Sequence, residues 1–131
     1  PARGCGAGGS GRRGRPRAPH DPAWRRGEQL YTGACAACHD RGRAADGGAL
    51  PLPLAIAITL PQPSNLIHIV RAGILPQEHE QRRWMPAFGP ALTDPEVVDL
   101  AVYLRSMTGQ PAWSNLAEAV RNEHDPQETA P

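Results

Sequence analysis

The pentapeptide Cys35-Ala36-Ala37-Cys38-His39 constrains this chain more than any other feature. Two thiols three positions apart with a histidine directly after the second form the pattern of a c-type haem attachment site. Both sulfurs can add to the vinyl groups of one haem, and the adjacent imidazole can then reach the iron from one face. The spacing needs the end of a helix, where two intervening residues leave both sulfurs on the same side of the macrocycle. A redox dithiol is the first rival, but it is expected beside a βαβ pattern, and no run of strand-like residues surrounds 24–39. A structural zinc site needs two more ligands at recognisable spacing. The other histidines (His20, His68, His79 and His124) stand singly, and the third thiol, Cys5, lies near the start. A disulfide between Cys35 and Cys38 leaves His39 unexplained.

The rest of the composition suits a domain organised around a large apolar group. Of 131 residues, 15 are Pro and 14 are Gly, and only 5% are aromatic, which is thin material for a core. Residues 1–26 hold seven Arg against one Asp, a net of +6. The remainder holds seven Arg against twelve acids, a net of −5, and there is no Lys. Residues 1–20 are Gly, Arg, Pro, Ala and Ser with almost no apolar side chain. They read as a disordered arm or interdomain linker, and no nucleic-acid partner is expected. The chain offers no apolar stretch for a signal peptide and no transmembrane span. Haem is attached to this motif outside the bacterial inner membrane. The chain is therefore expected to be the C-terminal piece of a longer exported protein, or one whose leader is absent.

Helical signals recur along residues 21–109. Asp21-Pro22 is an N-cap followed by proline at the first helical position, and Gly27, Leu30, Tyr31 and Ala34 then share one face. Leu50-Pro51-Leu52-Pro53-Leu54 is no regular helix, and Ala55–Leu60 is a short apolar run of ambiguous type. A second helix is expected over Ser64–Ala72 with Leu66, Ile67 and Val70 inward and Gly73 as its stop. Thr93-Asp94-Pro95-Glu96 matches a capping box, opening a helix with Val97, Leu100, Ala101, Leu104 and Met107 on one face and Tyr103 beside it. Residues 110–131 read as an extension, with a short helix over Trp113–Arg121. The class is all-α, with three to five helices around one covalently held haem.

An iron held by His39 has a sixth position, and Met85 is the candidate for it, in Trp84-Met85-Pro86-Ala87-Phe88-Gly89. Thioether sulfur favours ferrous iron, and Met/His ligation marks electron-transfer cytochromes. The flanking prolines stiffen the loop, and Trp84 and Phe88 are candidates to shield the haem edge. Met107 suits core packing, while His68 and His79 are expected to face solvent.

These residues resemble the class I cytochromes c over about 22–109. The resemblance implies that Gly27 and Tyr31, eight and four positions before Cys35, pack on the C-terminal helix against Leu100 and Tyr103. It also implies a proline carbonyl, from Pro51 or Pro53, accepting the ring N–H of His39. The Leu50–Ala55 run, Pro63-Ser64-Asn65-Leu66-Ile67, the Met85 loop and Ala91-Leu92-Thr93-Asp94 are together similar to the last domain of multi-haem cytochrome subunits of bacterial dehydrogenases. The tail Gln110-Pro111-Ala112-Trp113 is most similar to partners of molybdenum hydroxylases, with quinoprotein alcohol dehydrogenase subunits second. The resemblance implies one haem c, Cys35 and Cys38 as its thioethers, His39 proximal and Met85 distal. It further implies an electron-relay role without bond-making of its own, between a dehydrogenase subunit and a respiratory acceptor. A periplasmic site is implied, with peripheral membrane association through parts of the chain not present here. The alternative is a peroxidase-type or ligand-binding haem with a labile sixth site.

Overall fold

A computed structural model describes residues 20–40, 51–76, 78 and 84–123. The arm before His20 with its Cys5, residues 41–50, residue 77, residues 79–83 with His79, and residues 124–131 with His124 lie outside the described residues. Helix α1 (Pro22–Leu30) starts where Asp21 accepts a hydrogen bond from the Ala23 N–H at 2.9 Å. It runs through a π-helical turn (Tyr31–Cys35) into α2 (Ala36–His39), so one rod carries the whole Cys-x-x-Cys-His motif at its C-terminal end. After a 3₁₀ turn (Leu52–Leu54) come α3 (Ile56–Thr59), α4 (Ser64–Ala72), α5 (Asp94–Ser106) and α6 (Leu116–Asn122). The ambiguous run Ala55–Leu60 is thus a single helical turn. Among the described residues there is no strand, only an isolated antiparallel bridge between Ile74 and Met85.

The long rod crosses α5 at Gly27. A β-carbon placed there would lie 2.1 Å from the Asp99 carbonyl oxygen and 2.7 Å from the Tyr103 Cβ, so only the missing side chain lets the two backbones meet. Around the crossing Trp24 meets Tyr103 edge-on at 5.1 Å, and Tyr31 meets it at 5.3 Å. Such aromatic pairs add stability beyond the area they bury. The expected partnership of Gly27 and Tyr31 with Tyr103 is present, and Leu100 lies buried in the same core.

One face assignment is corrected. Ala34 is exposed, and Cys35 takes the inward position after Tyr31. The π-turn between them inserts an extra residue into the helical repeat, which shifts the buried stripe by one. Helix α5 opens with the full capping box. The Thr93 Oγ accepts from the Glu96 N–H, and the Glu96 carboxylate accepts from the Thr93 N–H at 2.7 Å. Val97, Leu100, Ala101 and Leu104 are buried as their spacing predicts, and Met107 packs against the same cluster.

Helix α5 is covered on more than that face: Asp99, Val102 and Arg105 are buried too. Trp113, Leu116 and Val120, beyond the Gly109 stop, supply part of the cover and belong to the same core. The Arg105 guanidinium donates to the carbonyls of Ile58 (2.7 Å), Leu60 (3.0 Å) and Pro111 (2.8 Å). It lies 4.4 Å from the centre of the Trp113 ring. The Trp113 indole N–H also donates to the Leu60 carbonyl, at 3.0 Å.

The crossing makes a direct prediction. Gly27→Ala is expected to cost about 2–3 kcal/mol or more, since backbone on the opposite helix cannot rotate away. Gly33→Ala, where a β-carbon meets nothing within 4 Å, is expected to be neutral or to stabilise by up to about 1 kcal/mol. Denaturant unfolding of the haem-loaded protein measures both, and equal midpoints would overturn the assignment of Gly27 to a close crossing.

Candidate haem-binding site

The C-terminal end of the α1–α2 rod presents the candidate attachment residues on little more than one turn. Cys35 is buried, Cys38 and His39 are half-buried, and both cysteines are free thiols. Burial first, and the neighbouring Cys38 second, push the Cys35 thiol up to about 11. The end of the rod is fastened by the Tyr31 hydroxyl, which donates to Asp40 Oδ1 at 2.5 Å across the π-turn. Burial, then the bond to Asp40 and its charge, raise the Tyr31 phenol, so it stays a neutral donor. The residue after the histidine is therefore tied to the residue that enters the α5 crossing, a link that spacing alone did not reveal. Among the described residues no cluster of three or more His, Cys, Asp or Glu is placed to hold a metal ion.

Met85 lies on a different support. Its N–H donates to the Ile74 carbonyl at 3.0 Å, and its carbonyl accepts from the Ile74 N–H at 2.9 Å. Phe88 and Gly89 then donate to the carbonyls of Val70 (2.9 Å) and Arg71 (3.1 Å). Those carbonyls belong to the last turn of α4, where helical backbone has no partner of its own. The strap 85–89 thus finishes α4 and is positioned by it. Met85 is half-buried and Phe88 packs against the core, whereas Trp84 is 58% exposed. His68 is exposed on α4, as its position predicts.

Pro51 and Pro53 flank the start of the 3₁₀ turn, both exposed. The Pro51 carbonyl accepts from the Leu54 N–H at 3.0 Å and keeps a second lone pair for another donor.

The described surface is unusually apolar in two places. Leu54 and Ile56 stand 70% and 71% exposed after the proline run, and Leu75 stands 76% exposed beside the Ile74–Met85 bridge with Ile74 and Trp84. Those segments are the ones that carry the candidate ligand loop and the candidate carbonyl acceptors. Two thiols and an imidazole on one helix end, a thioether on a fixed strap, and uncovered Leu, Ile and Trp side chains fit a porphyrin, a large apolar plate with a soft-to-borderline metal.

Helical architecture and donor set together define a cytochrome c-type domain, a class that binds haem and transfers electrons. Residues 22–104 match the model of the family described as cytochrome c oxidase, cbb3-type, subunit III, and the chain belongs to that family. It is similar to a nicotinate dehydrogenase subunit of Pseudomonas putida, with 34% identity over 95 residues, 70% of this chain and 8% of that protein. It is also similar to the gluconate 2-dehydrogenase cytochrome c subunit of Pantoea cypripedii, with 35% identity over 108 residues, 76% of this chain and 22% of that one. The chain thus spans less than a quarter of the length of either relative. No solved structure matches it. Among the described residues no helix is long and apolar enough to cross a membrane.

The thiols give the site a test that needs no haem. A folded-state pKa raised from 9.0 to about 11 means that near pH 8 the Cys35 thiolate is roughly a hundredfold scarcer than that of an ordinary thiol. In the haem-free protein Cys35 is expected to resist iodoacetamide near neutral pH and to react as pH rises towards 11. Peptide mapping checks this, and equal labelling of Cys35 in folded and urea-unfolded protein at pH 8 would contradict it.

Proposed function

We propose that the chain is a one-electron relay in which Cys35 and Cys38 tether a single haem c, His39 is the proximal iron ligand and Met85 the distal one. The observation that carries the reading is the fixed backbone of Met85. It is bonded in both directions to Ile74, on a strap stitched to the end of α4. The competing groups are placed for other work: Met107 packs on the core and His68 is exposed.

Bound there, haem supplies an Fe(III)/Fe(II) couple that needs no proton or substrate at the metal. The residues do the remainder. The two thiols fix the plate to the rod, and the rod is fixed by the Gly27 crossing. A carbonyl from Pro51 or Pro53 would accept the outer ring N–H of His39 and hold its tautomer. Met85 closes the second face against small ligands. Leu54, Ile56, Trp84 and Phe88 would exclude water from the plate, which raises the potential by disfavouring the more charged ferric state.

Both relatives are named as subunits of dehydrogenases, which supports a dehydrogenase subunit as electron donor. The molybdenum-hydroxylase kind is the first choice, since one relative is a nicotinate dehydrogenase subunit, with a quinoprotein type second. The onward acceptor is respiratory and the location periplasmic, at the outer face of the inner membrane. Weak, transient docking suits such a relay.

In protein loaded by c-type maturation machinery, Cys35→Ser with Cys38→Ser is expected to abolish the covalent haem mass. Met85→Ala is expected to keep the haem, lose the ferric sulfur-to-iron charge-transfer band, and lower the reduction potential. Persistence of that band in Met85→Ala would remove Met85 from the iron. Rapid binding of carbon monoxide or cyanide by the unmodified protein would favour an open sixth site and a haem enzyme instead.

A further inference from the structure

The end of α4 holds a residue whose lack of a side chain bears on the strap that carries Met85. Gly73 follows Ala72 with φ 70° and ψ −169°. That combination lies outside the left-handed helical region and is open essentially to glycine only. Its N–H closes the helix on the Ile69 carbonyl at 2.9 Å. The chain then turns so that Ile74, the next residue, pairs with Met85 in both directions.

The space beside Gly73 is filled by the strap. A β-carbon there would lie 2.4 Å from the Met85 carbonyl oxygen, 2.8 Å from the Ala87 nitrogen and 2.8 Å from the Pro86 carbonyl carbon. All three are backbone atoms, so no rotamer change relieves the overlap. Pro86 has no N–H to anchor that stretch, which leaves the contact with Gly73 as the lateral stop between the Ile74 bridge and the Phe88 and Gly89 bonds. Gly109 has nearly the same φ, 68°, yet a β-carbon there would meet nothing within 4 Å. Both glycines therefore need a positive φ, but only at Gly73 is the space of a side chain taken by another segment.

We propose that Gly73 is the positioning residue for Met85: its bare Cα and glycine-only backbone set how far the strap stands from α4, and with it where the Met85 sulfur is held. The inference rests on the reading of Met85 as distal ligand. Any side chain at residue 73 moves the strap away from α4 and lengthens or breaks the sulfur–iron bond, with the haem and the helices still in place.

The test compares haem-loaded Gly73→Ala, Gly109→Ala and Met85→Ala. Gly73→Ala is expected to lose most of the ferric sulfur-to-iron band and to bind added imidazole about tenfold or more tightly, as the displaced sulfur competes less well. Gly109→Ala is expected to be less stable than the unmodified protein while keeping both the band and the imidazole affinity. A folded Gly73→Ala with an unchanged band and unchanged imidazole affinity overturns the proposal, as does equal loss in both glycine variants. Loss of the band in Met85→Ala but not in Gly73→Ala sinks the positioning role alone; its persistence in Met85→Ala sinks the ligand reading beneath it.

Should Gly73→Ala fail to fold, the unmodified holoprotein still decides. Imidazole added to displace the sulfur is expected to speed hydrogen exchange at the Ile74 and Met85 amides and to leave the α5 amides unchanged, because coupling between bond and bridge acts in both directions. Unaltered exchange at those two amides overturns the proposal.

Discussion

The close approach of two helix backbones at Gly27 is the constraint on which the remainder of the domain depends. It places the α1–α2 rod against α5 closely enough that a single β-carbon would overlap a carbonyl oxygen, and thereby fixes the far end of the rod, where Cys35, Cys38 and His39 sit. Trp24, Tyr31 and Tyr103 form the flank of the crossing, so half of a scarce aromatic supply is spent at one place. The Arg26–Asp99 pair also spans it, at 2.6 Å, but Arg26 is 59% exposed and such a pair contributes little. Shape, not charge, holds the crossing.

Buried arginines take over where apolar material runs short. A chain rich in proline loops has many carbonyls in need of donors, and guanidinium offers five in a rigid fork. Arg105 gathers carbonyls from three stretches of chain under the Trp113 ring. Arg71 pairs with Asp94 at 2.6 Å and donates to the Glu123 carbonyl, joining α4 to the start of α5 and the end of α6. Desolvation lowers the Arg105 pKa from its usual range, though the guanidinium stays charged in any ordinary buffer. The family match ends at residue 104. Arg105 and Trp113, just beyond it, help bind the following segment to the core, with Leu116 and Val120 buried in the same cluster.

Local chemistry made much of this legible in the sequence. The Thr93–Glu96 box, the Asp21-Pro22 start and the Ser64–Ala72 helix with its Gly73 stop are set by neighbouring residues, and each is present where the pattern put it. The Gly27 and Tyr31 contacts with Tyr103 came from resemblance, not periodicity. The π-turn was illegible because nothing in Tyr31–Cys35 marks an inserted residue; it is imposed by packing and moves Ala34 outward. Burial of the segment after Gly109 had a signal in the spacing of Trp113, Leu116 and Val120; the helix expected over Trp113–Arg121 begins only at Leu116, with Trp113 before the turn that leads into it. The support of Met85 had none. It consists of backbone hydrogen bonds between residues far apart in sequence, and side-chain patterns do not encode those.

The fold holds two supports of different kind: a helix end fixed by a backbone crossing, and a strap that completes another helix and carries a thioether. The account turns on whether both faces of one iron are closed by these supports. Proton NMR of the ferrous, haem-loaded protein tests that most directly. The account predicts a three-proton methionine methyl resonance moved far upfield by the porphyrin ring current, with no open axial site. A ferrous spectrum without that resonance, or one typical of five-coordinate high-spin iron, would contradict it.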